Sequence, residues 1–253
     1  MPFGKFSFGL IAAACLLTAA TLSAQKTNEE SKEKPPLGKL LLLTGVDRFH
    51  NWSDNSAALR KILEDGGFLV VMTEEPWVLT TEGMKGYDGI AMVYNSDERW
   101  PAPVEEALVK LVTGGMGIGI IHSSDNSFPG WKEFEEMVGL LWRIDDTHQA
   151  GHDHFGPLTV KIVDQEHFIT RGVGDFPITD ELYRDLTRYS DFHVLAEAFS
   201  KDKQRDYPII MTKTYGQGRV FHTVLGHNPE SMNSQGFKTT TLRGMLWAIK
   251  KDK

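Results

Sequence analysis

Apolar runs alternate with amphipathic segments along the first half of the chain, and this alternation predicts strands and helices in turn. Continuous apolar runs that stop at glycine or at polar residues are typical of strands buried on both faces of a sheet. Such runs predict four strands, over "KLLLLTG" (39–45), "FLVVM" (68–72), "YDGIAMVYN" (87–95) and "GIGII" (117–121).

Helices are predicted after the first and third strands. In "SDNSAALRKILEDGG" (53–67), Ser53 or Asp54 is expected to cap a helix that Gly66-Gly67 ends, and its apolar positions share one face. "PVEEALVKLVTGG" (103–115) starts with proline and ends with glycine, as helices often do. Strands and helices that alternate at this spacing predict an α/β fold with a doubly wound, mainly parallel sheet.

The pattern changes after residue 155. "LTVKIV" (158–163) and "HVLAEAF" (193–199) are predicted strands without a good helix between them, and residues 207–227 are predicted to form a hairpin that turns at 215–218. "TTTLRGMLWAIKK" (239–251) is predicted to be the last helix. We therefore expect a parallel core with an antiparallel C-terminal extension.

The N-terminal segment has the pattern of a secretory signal. Lys5 precedes an apolar stretch that ends at small residues, so residues 1–24 are predicted to be a cleaved signal peptide and residues 25–38 a flexible tether. A lipid anchor on Cys15 is the less favoured alternative, because Ala12 stands where a leucine is expected. The mature chain is then one domain, 39–253, with no transmembrane span, in the periplasm or outside the cell.

Composition excludes several classes of function. Cys15 is the only cysteine, so the mature protein would have no disulfide, thiolate metal ligand or cysteine nucleophile. The chain has 27 basic and 34 acidic residues and no basic cluster, so nucleic acid is not an expected partner.

Polar side chains follow several predicted strands at the sheet edge where α/β proteins bind ligands. His50 and Trp52 follow the first strand, Asn95 the third, His122 and Asp125 the fourth, and His227 the last. Histidine titrates near neutrality and binds metals, so three histidines at one edge predict a site. Alternatively, each is a loop residue bonded to the backbone, and Asn95 and Asp125 only cap turns.

The densest histidine cluster is "DDTHQAGHDHFG", with His148, His152 and His154. Histidines two apart on a strand, or four apart on a helix, point the same way. They could hold a divalent cation with nearby aspartates, which are Asp145, Asp146 and Asp153. The alternative is a solvated loop that happens to contain histidines.

"TDELYRD" (179–185) places Asp180 and Glu181 close to Tyr183. Adjacent carboxylates can bind sugar hydroxyls, act as a general base or ligate a metal. Acidic residues at a helix start are the alternative. Trp52 and Trp100 follow strands and could stack on a pyranose ring, although an indole usually packs in the core.

Two catalytic motifs are missing from the sequence. "GIIHSSD" is not the G-x-S-x-G turn of hydrolases, because histidine occupies the turn. No G-x-G-x-x-G opens a helix after a strand, so no nucleotide cofactor is expected.

Eight segments together resemble the ThuA-like family, named for trehalose utilisation, over nearly all of residues 39–250. They are "LLLTGVDRFHNW", "YDGIAMVYN", "LVKLVTGGMGIGIIHSSDNS", "FEEMVG", "VKIVDQEHFITRGV", "TDELY", "YGQGRVFHTVLGHNPES" and "LRGMLWAI". The resemblance implies a flavodoxin-like fold similar to class I glutamine amidotransferases, with His122 about where those enzymes have their nucleophilic cysteine. Without a thiol, amidotransferase chemistry is not expected.

The resemblance also implies sugar metabolism, on 3-keto glucosides or disaccharides and alongside sugar dehydrogenases, with a divalent metal such as zinc. The positions it singles out are His50, His122, the "HQAGHDH" histidines, Glu181 and His227. Two departures concern the substrate: Phe168 stands where proline commonly follows the histidine, and Met211-Thr212 stand where a tryptophan is common.

The sequence-based hypothesis is proton abstraction beside the keto group, followed by elimination or hydrolysis. His122, His227 and Glu181 are its catalytic residues, and His50, Trp52, Asn95, Asp125 and Tyr183 bind the sugar. His148, His152 and His154 are its metal ligands. A non-catalytic sugar-binding or scaffolding module is the alternative, and glycoside hydrolysis by two carboxylates is a third reading.

Overall fold

A mixed sheet of nine strands forms the centre of the part of the chain that the structure describes. The computed structural model describes residues 1, 3–4 and 35–252, and Pro36–Lys253 make one compact unit. The predicted signal peptide and most of the tether lie outside the described residues.

The parallel half of the sheet has the strands that the apolar runs predicted. These strands are β1 (Lys39–Leu43), β2 (Leu69–Thr73), β3 (Gly89–Met92) and β4 (Gly117–Ile121). The remaining strands are β5 (Leu140–Leu141), β6 (Gly151–His152), β7 (Gly156–Ile162), β8 (Phe176–Asp180), β9 (Tyr183–Arg184), β10 (Thr187–Arg188), β11 (His193–Ser200), β12 (Arg205–Tyr215) and β13 (Gly218–Thr223).

The order of the main sheet is β2-β1-β3-β4-β13-β12-β11-β7-β8. β2, β1, β3, β4 and β13 are parallel to one another. β12 pairs antiparallel with both β13 and β11, and β7 pairs antiparallel with both β11 and β8. The predicted parallel core with an antiparallel extension is therefore confirmed. Because β1, β3, β4 and β13 point the same way, the loops that follow them lie along one edge.

Helices cover both faces of the sheet. They are α1 (Trp52–Asp65), α2 (Ala102–Thr113), α3 (Lys132–Val138), α4 (Pro229–Met232) and α5 (Gln235–Ala248). One apolar core lies under α1 and α5, and a second lies under α2 and α3. This sandwich is the flavodoxin-like, doubly wound fold.

The glycines of "GIGII" allow α5 to approach the sheet. A Cβ on Gly119 would lie 2.4 Å from Met245 Sδ, and one on Gly117 would lie 2.4 Å from the backbone of Ala248. Side chains there would push the helix away from β4. The glycines are therefore required by strand–helix packing.

Two helix boundaries differ from the prediction. The N-cap of α1 is Asn51, whose Oδ1 accepts from the backbone N–H of Asp54 at 3.3 Å, so Ser53 and Asp54 are inside the helix. Helix α5 begins at Gln235, one turn before the predicted start. Among the described residues, no helix has the length and apolar character needed to cross a membrane.

Candidate metal centre

Three histidines that are far apart in sequence meet at the carboxyl edge of the parallel strands. His50 lies in the loop after β1, His122 directly follows β4, and His227 lies in the loop after β13. The ring centroid of His50 is 4.8 Å from that of His122 and 4.8 Å from that of His227. The ring centroids of His122 and His227 are 5.5 Å apart. The structure therefore brings together the three histidines that the strand ends singled out.

The chain turns sharply at His122. This residue has φ +48° and opens a short 3₁₀ turn, His122–Asn126. A non-glycine residue in the left-handed region is uncommon and is held there by its surroundings. Ser124 supplies part of that support, because its hydroxyl donates to Met92 O at 2.8 Å and accepts from Tyr94 N at 3.0 Å.

Each of the three rings has its Nδ1 next to an oxygen acceptor. His50 Nδ1 is 2.9 Å from Asp47 Oδ2, and His122 Nδ1 is 2.6 Å from the carbonyl oxygen of Val224. His227 Nδ1 is 3.1 Å from Glu181 Oε2, at an angle outside that of a well-formed hydrogen bond. A neutral imidazole that donates through Nδ1 keeps its lone pair on Nε2. This second contact is the one that orients metal-ligating histidines.

The Nε2 atoms of His50 and His122 face each other at 3.2 Å. Two lone pairs at that distance repel unless a proton or a cation lies between them. Nitrogens bound to one tetrahedral zinc at about 2.0–2.1 Å would be about 3.3 Å apart. His50, His122, Glu181 and His227 each offer a ligand atom, and these atoms all lie within 4.8 Å of one another. The residues therefore fit a divalent metal.

Burial and neighbouring charges adjust the protonation of this group. Burial holds the pKa of His122 well below its ordinary value, with His50 adding to the effect, so its ring stays neutral. The contact with Glu181 raises the pKa of His227. For Glu181 itself, burial acts to raise the pKa, but the contact with His227 outweighs it and the net shift is downward. Glu181 is thus an ionised carboxylate beside a histidine.

Two buried aspartates support the centre. Asp47 also accepts from Ser123 Oγ at 2.6 Å and from Asn95 Nδ2 at 3.3 Å. Asp180 accepts from the backbone N–H groups of Gly226 at 2.7 Å and His227 at 3.1 Å, and burial raises its pKa to about 6. The first aspartate orients His50, and the second fixes the backbone that carries His227.

Tyr183 completes the floor of the site. Its hydroxyl lies 3.0 Å from His122 Nε2, and it is 2 % exposed. Burial raises the pKa of this phenol well above its ordinary value, so it stays protonated and can donate a hydrogen bond.

A cavity of about 410 Å³ opens onto the centre. Its lining residues are Phe49, His50, Asn126, Trp142, Ile144, His152, Glu181, Tyr183 and His227. This volume is within the range of about 300–1,000 Å³ that is common for small-molecule sites. The cavity therefore gives a small ligand access to the three histidines and Glu181.

The histidine-rich loop does not form the metal group that its density suggested. His148 Nδ1 bonds to Asp145 Oδ2 at 2.7 Å on the surface. His152 ends strand β6 and lines the cavity, with Nδ1 3.6 Å from Glu181 Oε1. His154 lies past the strand, exposed, so it does not share a strand face with His152. Within the described residues, the ligand atoms that converge are those of His50, His122, Glu181 and His227. This corrects the assignment of His148, His152 and His154 as the metal ligands.

Three residues expected to bind the sugar do not line the cavity. Trp52 is the first residue of α1, and Asn95 is buried and bonds to Asp47. Asp125 is fully buried and lies 3.2 Å from His222 Nε2; burial raises its pKa. Their positions after strands were read correctly, but Asn95 and Asp125 are buried and Trp52 begins a helix outside the cavity. His50 and Tyr183 of the same set do line the cavity.

Sequence reasoning missed Asn126 and Trp142 as cavity residues. Trp100, which was favoured with Trp52 for stacking, is buried against Phe128 at 4.7 Å between ring centroids. The role of Asp47 was also missed, although its position three residues before His50 is a usable signal for an aspartate turn.

The chain matches the model of the ThuA family, described as "Trehalose utilisation", over residues 39–248. A solved ThuA-like protein from Parabacteroides merdae has 25 % identity and a TM-score of 0.75, with 85 % of this chain and 91 % of that chain covered. A second, from Bacteroides uniformis, has 18 % identity and a TM-score of 0.70, with 87 % and 94 % covered.

A more distant likeness is to the β-galactosidase of Bacillus circulans, with 12 % identity and a TM-score of 0.56. It covers 86 % of this chain and 31 % of that chain, and it shows the fold alone. None of the curated proteins matches significantly. The family match suggests a function related to carbohydrates, and because the match spans most of the sequence, the chain belongs to the ThuA family.

Proposed function

We propose that this protein is a metal-dependent enzyme that acts on 3-keto glycosides by proton abstraction and elimination. The observation that carries the proposal is the common orientation of the three histidines. His50, His122 and His227 each direct Nδ1 to an oxygen acceptor, which leaves their Nε2 atoms to face one another. The Nε2 atom of His122 also faces the Tyr183 hydroxyl at 3.0 Å, a contact that a bound metal would replace. Three protein ligands and an open position are the pattern of catalytic zinc sites.

His50, His122 and His227 would hold the metal, and Glu181 would act beside it. A divalent metal, when bound, supplies Lewis-acid stabilisation of negative charge on a substrate oxygen. Imidazole nitrogens suit zinc and related transition metals better than magnesium or calcium. This ligand set replaces the loop histidines in the hypothesis.

Glu181 is the proposed general base. In a 3-keto glycoside the C2 proton is acidic because it lies beside the carbonyl group. The Glu181 carboxylate takes that proton, and the C2–H electron pair moves to the carbonyl oxygen. The electrons then return to form the C1–C2 double bond as the C1–O bond to the aglycone breaks, and the leaving oxygen takes up the proton from Glu181.

Tyr183 and His122 have supporting roles in this proposal. The Tyr183 hydroxyl is a protonated donor on the cavity floor, suited to a developing oxyanion. His122 is buried, its Nδ1 faces the Val224 carbonyl oxygen at 2.6 Å and its Nε2 faces His50 Nε2 at 3.2 Å, so we assign it to metal binding. An elimination that requires a keto group also agrees with a partnership with sugar dehydrogenases, and the N-terminal signal pattern supports a periplasmic or secreted location.

The test uses the purified full chain, stripped with a chelator and reloaded separately with Zn²⁺, Mn²⁺ and Co²⁺. One metal per chain is expected, with release of the aglycone from a 3-keto glucoside. Glu181→Gln, assayed at saturating metal because Glu181 also contacts His227 Nδ1, should lose turnover by about 10²–10⁴-fold, the usual contribution of a general base. Saccharide binding without turnover for every metal would instead favour a sugar-binding module and reject the enzyme.

A further inference from the structure

The cavity has a polar floor and an apolar mouth. His50, Glu181 and His227 form the floor together with Tyr183. At the mouth, Phe49 and Ile144 are each 65 % exposed although they are large apolar residues. Exposed apolar side chains at the rim of a pocket commonly contact a ligand.

Trp142 lies between the floor and the mouth of the cavity. Its ring packs edge-on against Tyr183 of the floor, with 4.7 Å between the centroids, and it lines the same cavity as the mouth residues. It is held in place through its backbone, because the carbonyl oxygen of Trp142 accepts from Arg143 Nη1 at 2.7 Å. Because the indole packs against the buried Tyr183 ring, it offers a flat surface to a ligand before the ligand arrives.

Asn126 places an unpartnered polar atom at the same cavity. Its Oδ1 is buried and has no hydrogen-bond partner, and the residue lines the cavity. A buried amide oxygen without a partner is unfavourable unless a ligand or water supplies a donor. The buried guanidinium of Arg143 also binds the Asn126 carbonyl oxygen at 3.2 Å, so Asn126 and Trp142 are fixed to each other.

The charge of the lining residues restricts the ligand. None of the nine lining residues, all within the described part of the chain, is a lysine or arginine. Glu181 is their one carboxylate. A phosphorylated or acidic sugar would therefore find no basic partner except the histidines and a bound metal, whereas a neutral glycoside would meet no such barrier.

We propose that the cavity selects neutral glycosides with an apolar, aromatic aglycone over disaccharides. The sugar ring lies on the floor, with one hydroxyl donating to Asn126 Oδ1, and the aglycone lies at the mouth against Phe49, Ile144 and Trp142. A second sugar ring would need several polar partners, and the exposed part of the lining offers only the Trp142 indole N–H and the ring of His152, whose side chain is 42 % exposed. This inference rests on the proposed function, since it names the substrate class of the same site.

Binding to unoxidised glycosides tests the preference without turnover. Calorimetry with the zinc-loaded full chain would compare phenyl glucoside, methyl glucoside and trehalose, using both anomers of the first two. Phenyl glucoside is expected to bind at least about tenfold more tightly than methyl glucoside, as contact with an aromatic ring provides. Trehalose should bind no better than methyl glucoside.

Variants separate the mouth from the polar contact. Phe49→Ser with Ile144→Ser should remove the phenyl preference and change methyl glucoside binding by less than about twofold, whereas Asn126→Ala should weaken both by a similar factor of about tenfold. Phe199→Ser, at a position 49 % exposed and outside this cavity, is the matched control and should change neither.

Two results would overturn the inference: trehalose binding more tightly than phenyl glucoside, or a phenyl preference that survives the double variant. Failure of the proposed function would give a different result. If the phenyl preference depends on Phe49 and Ile144 but no keto glycoside is turned over, the inference on binding holds and the enzymatic function is rejected.

Discussion

Two turns in this molecule have the same local structure and contribute very differently to the site. In the first, Asp47 Oδ1 accepts from the N–H groups of Phe49 and His50 at 2.9 and 3.1 Å, and Oδ2 contacts His50 Nδ1 at 2.9 Å. In the second, Asp145 Oδ1 accepts from Thr147 and His148 at 2.7 and 2.8 Å, and Oδ2 contacts His148 Nδ1 at 2.7 Å. An aspartate three residues before a histidine produces this turn in both places.

The surroundings of the two turns account for the difference. The side chains of Asp47 and His50 are 1 % and 6 % exposed, whereas those of Asp145 and His148 are 54 % and 35 % exposed. His50 meets His122 and His227 from two other strand ends. The local sequence therefore specifies the oriented histidine, and the sheet topology decides whether it has partners.

The largest expected effect separates the two histidines directly. His122→Ala removes an Nε2 ligand from the proposed centre, so zinc affinity should fall by more than about a hundredfold, beyond the range for residues that only orient ligands. His148→Ala should leave zinc affinity unchanged. Competition with a chromophoric chelator measures both. Zinc loss in His148→Ala together with retention in His122→Ala would reverse the assignment.

The orienting carboxylates give the next effect. In Asp47→Asn, an amide N–H₂ would replace an oxygen that now faces His50 Nδ1 and Ser123 Oγ, so His50 would no longer be held with Nε2 free. Zinc affinity should drop by about 10–100-fold. Asp145→Asn is the matched control because it alters the same turn on the surface. Equal losses in the two variants would show that neither aspartate acts through a metal ligand.

A smaller effect is expected from Asp180, which has no counterpart in the surface turn. It accepts backbone N–H groups from Gly226, His227 and Glu181, and Asp180→Asn would place a donor against one of them. The free energy of unfolding without metal should fall by about 1–3 kcal/mol, the usual cost of an unsatisfied buried group. Chemical denaturation of the stripped protein measures it. An unchanged midpoint would mean that Asp180 does not hold the His227 loop.

Much of the parallel half of the fold could be predicted from the sequence because β1, β3 and β4 are buried on both faces; the edge strand β2, predicted the same way, leaves Leu69, Val71 and Met72 exposed. "GIGII" forms a strand with the predicted bounds, since an unbroken apolar run has few alternative structures. The caps were harder to predict: Asn51, Ser53 and Asp54 are all good capping residues, and only the path of the preceding loop selects Asn51.

The site was predicted where it depended on topology and missed where it depended on side-chain direction. Strand order alone brings His50, His122 and His227 to one edge. The density of histidines at 148–154 was misleading, because spacing predicts a shared face only if the strand continues, and β6 ends at His152. Likewise, Trp52 follows a predicted strand and Trp142 does not, yet loop geometry brings Trp142 and not Trp52 to the cavity.

The smallest effect concerns the surface turn alone. The hydrogen bond from His148, followed by those from Thr147, holds the pKa of Asp145 well below its ordinary value of 3.8. In His148→Ala the pKa of Asp145 should therefore rise toward 3.8, with zinc affinity unchanged. A lowered carboxylate pKa stabilises the turn above that ordinary value, and this contribution is lost as the pH falls through the folded-state pKa.

Carbon-13 NMR titration of the Asp145 carboxyl measures this shift. In the wild type the resonance should titrate at a lower pH than in His148→Ala, while the variant and the wild type have the same zinc affinity at neutral pH. If the carboxyl titrates at the same pH in both proteins, the backbone donors and the Thr147 hydroxyl set the pKa of Asp145, and the His148 ring does not stabilise the ionised form. The surface histidine would then lack the contact that orients His50, and the two turns would no longer be equivalent in solution.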